Sequence, residues 1–353
     1  MQPTRRPSRR RHGRRGLVLG SVLVATAALG LTACGGSGGG APVLTLYNAQ
    51  HEQTTDALVA AFTKQTGIKV MVENNSEDTL TAQIVQEGSR SPADVFYSEN
   101  SNWLEQLAAA GLLAKVDAPT LAAVPIQDSS TAGLWVGVSA RISTMVYDTG
   151  KLAPSQLPTS VLQLADPRWK GKIELAPSET DFWPIVSSVE AAKGHAAALA
   201  WLEGLKANAG ADDNVPDNET VTSDVNQGVS QLGLINSYYW YRLRAEVGKG
   251  SMHSAVAYFA PGDPGYVQDI SGAAVLKSST HRAAAQRFLA FLTSAAGQKI
   301  LASGDSFEYP IRPGVPANPQ LTPLDQLHPN GFTPADLGTG LNAKELLQEA
   351  GLL

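Results

Sequence analysis

Tyr238 and Tyr239 stand side by side in a run of four aromatic residues that Trp240 and Tyr241 complete, in a chain only 7% aromatic. Two neighbouring phenols can pack, stack or ligate. Along an extended strand adjacent side chains face opposite ways, so the pair could not reach one atom there. Residues 232–235 read as a strand that stops just short of the tyrosines. Where a strand passes into a helix the two side chains diverge far less and can converge. Two further residues hold equivalent places. His51 follows the first expected strand in Tyr47-Asn48-Ala49-Gln50-His51-Glu52, and Glu99 follows the third in Phe96-Tyr97-Ser98-Glu99-Asn100. Ligands of α/β sheets bind at the carboxyl ends of strands. An imidazole, a carboxylate and two phenols at three such ends favour metal binding, while Trp240 and Tyr241 are expected to be core.

The catalytic signatures fail in turn. Gly137-Val138-Ser139-Ala140-Arg141 lacks the second glycine of a nucleophile elbow. Thr55 stands where a zinc helix beginning His51-Glu52 needs its second histidine. No glycine loop with a following Lys-Ser/Thr is present to cradle phosphate, and a single cysteine excludes Cys-based zinc and iron–sulfur sites. A hydrolase using Glu179 and Asp181 as an acid–base pair is the minor reading. The expectation is a binding protein and not an enzyme.

The elements that would position these residues follow from hydrophobic period and helix punctuation. Strands are predicted at 43–48, 68–72 and 93–97, alternating with helices at 54–66, 79–88 and 103–110, the first and last closed by Gly67 and Gly111. That rhythm implies an α/β lobe with a mainly parallel sheet. Two strands at 134–138 and 142–147 form a crossing segment. A second α/β set follows: a strand at 173–175, helices at 183–193, 195–208 and 224–231, and the strand 232–235. A strand at 271–276, a helix pair at 282–293 and 295–303, and a late helix at 341–350 close the chain. There is no internal repeat. Two lobes with the chain crossing between them more than once place a cleft at their junction.

The N-terminal stretch speaks to compartment. Seven arginines and no acid precede an apolar run at 17–31 that is too short for a comfortable membrane span, as in a secretory signal. It ends in Leu31-Thr32-Ala33-Cys34-Gly35, which resembles the lipobox of bacterial lipoproteins, so Cys34 is the expected lipidation site. Arg14-Arg15 also faintly resembles a twin-arginine signal, which leaves the export route open. The tether 34–42 is glycine-rich. The whole chain has 27 basic and 32 acidic side chains; without the seven arginines 20 face 32, a balance of about −12. Such a surface excludes nucleic acid as a partner and tolerates cationic cargo.

Five stretches together resemble the periplasmic ferric-iron-binding proteins of bacterial ABC importers: Tyr47 to Glu52, Asp94 to Glu99, Val146-Tyr147-Asp148-Thr149, Leu234 to Trp240, and Ser271 to Ser279. The double tyrosine with an upstream histidine and glutamate is the most telling combination. The resemblance implies a two-lobed type II periplasmic-binding-protein fold, with lobe 1 at 43–140 and 269–320 and lobe 2 at 141–268 and 321–353. It implies that His51, Glu99, Tyr238 and Tyr239 bind Fe(III) in the interlobe cleft. The chemistry agrees: hard anionic oxygen suits a small trivalent ion, and such an ion makes a phenolate accessible although the free phenol ionises near ~10. Two phenolates and one carboxylate cancel the metal charge, and neutral His51 adds a fourth donor.

The resemblance further implies that a synergistic, phosphate-like anion or water completes the shell. Asn218 and Asn236 match the family's anion-holding asparagines, and Arg141 lies where some members place an arginine beside an anion. The anion turn departs from the family: it reads Pro177-Ser178-Glu179-Thr180-Asp181-Phe182. Ser178 and Thr180 could still donate, but Glu179 and Asp181 repel phosphate unless they are protonated or hydrogen-bonded away. Water or Asp181 itself then completes the shell. The implied protein is a monomer, tethered to the cell membrane through Cys34 on its extracytoplasmic face, which hands ferric iron to an ABC permease. The alternative is an organic solute of the same fold (a polyamine, thiamine or a phosphonate), with the aromatic run as its pocket.

Overall fold

Apolar alternation from Val43 makes β1 (Val43–Ala49), buried from Leu46 onward between two parallel neighbours, β2 (Lys69–Asn74) and β3 (Val95–Ser98). The computed structural model describes residues 42–209 and 215–353. The expected signal segment 1–33 and Cys34 lie outside those residues, as does the tether up to residue 41. Parallel neighbours require crossover connections. The helix Glu52–Thr66 carries the chain from β1 to β2, and the helix Glu77–Glu87 carries it from β2 to β3. The first ends as expected at Gly67, whose φ of 73° closes a left-handed cap with its N–H bonded to Thr63 O.

β4 (Val136–Asp148) is thirteen residues long and buried throughout. The sequence predicts two strands here, because Ser139 and Arg141 interrupt the apolar run. The strand continues through them because both polar side chains find buried partners in the site described below. It bulges between Gly137 and Ser139, where a Cβ on Gly137 would lie 2.1 Å from Asp128 O, so only glycine fits.

The remaining strands are β5 (Ile173–Glu174), β6 (Leu232–Asn236), β7 (Ser254–Ala257), β8 (Gln268–Val275) and β9 (Tyr309–Pro310). The sheet runs β2-β1-β3-β8-β4-β6-β5, with β7 and β9 also on β4. β4 changes partners along its length. Up to Ile142 it pairs antiparallel with β8, Arg141 opposite Asp269; from Ser143 it pairs with β6, Ser143 opposite Asn236, and β7 joins from Met145. One strand thus belongs to two sheet segments. β7 and β9 were not predicted, since four and two residues carry too little pattern.

The helices Trp183–Lys193 and His195–Asn208 match the reading. So does the pair Arg282–Leu292 and Ala295–Ser303. The helix predicted at 224–231 instead spans Asn218–Gln227. Its polar first turn hid it, yet the Asp217 carboxylate caps it by accepting from Thr220 N at 2.7 Å, and Gly228 stops it at φ 78°. Among the described residues, no helix is long and apolar enough to cross a membrane.

Candidate metal centre

Each of the four expected ligands sits where a strand hands over to a helix. His51 is the N-cap of the helix Glu52–Thr66, and a fixed turn holds it there. Asn48 Nδ2 donates to Gln50 O at 2.7 Å, Asn48 Oδ1 accepts from Thr55 Oγ1 at 2.8 Å, and Gln50 Oε1 accepts from His51 N at 2.7 Å. Glu99 lies between β3 and the helix Ser101–Ala109. Tyr238 and Tyr239 occupy the first turn of the helix Ser237–Val247, directly after β6. Their rings are 4.1 Å apart and inclined by 32°, so the two hydroxyls project together as the strand-to-helix argument requires.

The four meet. His51 Nε2 is 3.1 Å from Glu99 Oε1, and the Tyr238 hydroxyl lies 3.1 Å from the same oxygen. That hydroxyl is also 3.0 Å from Asp181 Oδ2, to which the Tyr239 hydroxyl donates at 2.8 Å. The His51 ring meets Tyr238 edge-on, centroids 5.2 Å apart. Beside the cluster opens a cleft of about 780 Å³, with His51, Glu99, Ser178, Glu179 and Thr180 on its walls.

Arg141 organises the acids. It is fully buried at the point where β4 changes partners. Its Nη1 lies 3.1 Å from Glu99 Oε1 and 3.0 Å from Asp181 Oδ1, and its Nη2 lies 2.8 Å from Glu308 Oε1. Burial works against the guanidinium's charge, but Glu99, Glu308 and Asp181 outweigh it and hold the pKa well above the usual value. Burial likewise raises Asp181, yet Arg141 and hydrogen bonds from Tyr239, Asn100 and Tyr238 bring its carboxyl below the ordinary range. The phenols move the other way. Burial, then the charges of Asp181 and Glu99, push both Tyr238 and Tyr239 well above 10. Only a strongly acidifying ion could take their protons.

The residues expected to hold an anion separate. Thr180 donates to Glu77 Oε2 at 2.7 Å, away from the phenols. Ser178 is exposed on the cleft wall. Asn218 is buried with its Nδ2 unpaired, and Asn236 is the buried residue just ahead of the tyrosine helix. Of the two acids in that turn, Asp181 stays ionised against Arg141 and its hydrogen-bond donors, whereas burial and the neighbouring Asp181 charge raise Glu179 to about 9. Glu179 lines the cleft, while Asp181 is buried against Arg141 and the two phenols.

One member was not anticipated. Glu308, almost fully buried, pairs with Arg141, takes the Ser139 hydroxyl, receives Gln50 Nε2 at 3.3 Å and lies 3.9 Å from His51 Nε2. With His51 and Glu99 it forms a group of three donor side chains of the kind that can hold a cation. Its only sequence signal is an acid wedged into the aromatic stretch Phe307-Glu308-Tyr309.

A sheet divided along one strand, with polar side chains converging beside a cleft, defines a two-lobed ligand-binding protein of the type II periplasmic class. The chain belongs to the bacterial extracellular solute-binding proteins, whose family profile matches residues 57–328. This is a family of binders and not of enzymes. The chain is 43% identical to the "Fe(3+)-binding periplasmic protein" of Serratia marcescens over 88% of its own length and 90% of the relative's. It is 38% identical to the "Major ferric iron-binding protein" of Neisseria meningitidis serogroup B, over 88% and 93%. Iron-bound HitA of Pseudomonas aeruginosa superposes with a TM-score of 0.84 at 43% identity, covering 88% of this chain and 99% of that one.

Proposed function

We propose that this protein captures Fe(III) in the cleft through His51, Glu99, Tyr238 and Tyr239. The observation that carries the reading is the meeting of the His51 imidazole and the Tyr238 phenol on one Glu99 oxygen, each at 3.1 Å, with Tyr239 alongside. Two phenolates and a carboxylate neutralise a trivalent ion. The relatives named for ferric iron support the choice of cargo. Asp181 already holds both phenol oxygens, so a phosphate has little to add at that corner; the last positions fall to water or to Asp181. The organic-solute alternative asks for free aromatic faces, but Arg141 sits 5.4 Å from the Tyr238 ring centre and Tyr239 packs against its neighbour.

The finer assignments belong to the same reading. The lobes span 43–140 with 269–320, and 141–268 with 321–353, a division supported by the change of β4 partners between Ile142 and Ser143. Cys34 carries a lipid that anchors a monomer to the extracytoplasmic face of the membrane, and an ABC permease receives the iron. Ferric citrate added to protein lacking residues 1–33 tests the cargo: a visible phenolate-to-iron charge-transfer band should grow to one equivalent. Absence of any such band, with iron left in the citrate pool, would sink the assignment.

A further inference from the structure

We propose that Glu308 is a positioning residue that keeps Arg141 from competing with the cargo ion for Glu99. The inference rests on the iron reading above. Glu99 Oε1 is the contested atom, because His51, Tyr238 and Arg141 Nη1 all lie within 3.1 Å of it. A metal ion drawing on that oxygen must displace the guanidinium, and a displaced buried charge needs another place to rest. Glu308 supplies it. Its Oε1 holds Nη2 at 2.8 Å, and three donors from two parts of the chain fix the carboxylate. These are the Ser139 hydroxyl on β4, Gln50 Nε2 beside the His51 turn, and Arg141 itself.

The two acids differ in freedom. The Glu308 side chain is 1% exposed, whereas that of Glu99 is 18% exposed and faces the cleft. The anchor is the enclosed partner and the ligand is the one open to the cleft. The backbone supports the same conclusion. Phe307, next to Glu308, has a φ of 53°, the only positive value at a non-glycine among the described residues. Such strain persists where the surrounding structure over-determines it, and here it aims the next side chain inward. When iron takes Glu99, Arg141 keeps Glu308 and Asp181 and gives up one of its three carboxylates. Without the Glu308 charge, the guanidinium leans on the carboxylate the ion needs.

The test is a double-mutant cycle read as iron affinity against a competing chelator, with folding checked by circular dichroism. Glu308→Gln keeps shape and hydrogen-bonding capacity and should weaken iron binding roughly 10- to 100-fold, the range for residues that support metal ligands. The charge-transfer band of the loaded protein should keep its position, since the phenolates are untouched. Glu308→Asp should recover part of the loss. Arg141→Met should restore binding far more in the Glu308→Gln background than in the wild type. Additive effects would overturn the proposal, because Glu308 would then act only through its charge on the ion. An iron-loaded crystal structure of the wild type decides independently if a variant does not fold. Arg141 should remain on Glu308 and leave Glu99; Arg141 on Glu99 and off Glu308 contradicts the proposal. A wild type that shows no band removes the iron reading and this inference together, while a band with an additive cycle removes only the inference.

Discussion

The two walls of the site are built on opposite principles. On one, His51 and Glu99 present an imidazole and a carboxylate, donors available to many cations, with Glu308 behind them holding Arg141. On the other, Tyr238 and Tyr239 hold their protons against Asp181, and burial raises both phenols well above 10. The first wall attracts; the second responds only to an ion acidic enough to expel two protons. On the proposed reading, selectivity for a hard trivalent cargo would follow from combining them, because a softer or less charged ion would engage one wall alone.

The most severe way to break the contrast is to remove the second wall. Tyr238→Phe with Tyr239→Phe should abolish the visible band and lower Fe(III) affinity by several orders of magnitude, as measured against citrate. Zn(II) binding to the first wall should change little, and calorimetry with zinc checks that. If the double variant keeps its colour, the phenols are not ligands.

Next in size is the effect of pH. Phenols raised well above 10 are protonated at neutral pH and must release a proton each when iron binds. Affinity therefore rises with pH and falls as the solution is acidified, by about 100-fold per unit for two protons. Chelator competition between pH 6 and 8, corrected for the chelator's own titration, should show that slope. A flat profile would mean the phenol protons stay in place.

Removing a first-wall donor should weaken the site without changing its colour. His51→Ala is expected to lower affinity while the phenolate band persists, a split that absorption and competition on one sample resolve. The smallest expected effect lies in the turn that departs from the family pattern. Glu179, raised to about 9, carries its proton near neutrality, so Glu179→Gln should barely alter iron binding. Asp181→Asn, by contrast, loses the charge that Arg141 and both phenols share and should weaken binding clearly. Adding phosphate should improve neither variant nor wild type; a phosphate requirement would restore an exogenous anion to the shell.

How far the sequence reaches is clear from individual residues. The places of His51, Glu99 and the tyrosine pair at strand-to-helix junctions could be read because each follows a strand with strong local pattern, while their proposed role as iron ligands came from the family resemblance. Arg141 was legible through the family resemblance as an arginine beside an anion; that three distant carboxylates would gather around it needed the tertiary structure. Glu308 was invisible for the same reason. The strand it precedes is two residues long, its neighbours are apolar, and its meaning comes from partners 167 to 258 positions away in the chain. The helix Asn218–Gln227 was misplaced because side-chain capping, not hydrophobic period, starts it. Local pattern places the ends of elements, and charge networks close the site.

The most direct test is a crystal structure of the iron-loaded protein. It should show one Fe(III) bonded to His51, Glu99, Tyr238 and Tyr239 at once, drawing on both walls. Iron held by one wall alone, or seated away from the tyrosine pair, would contradict the account.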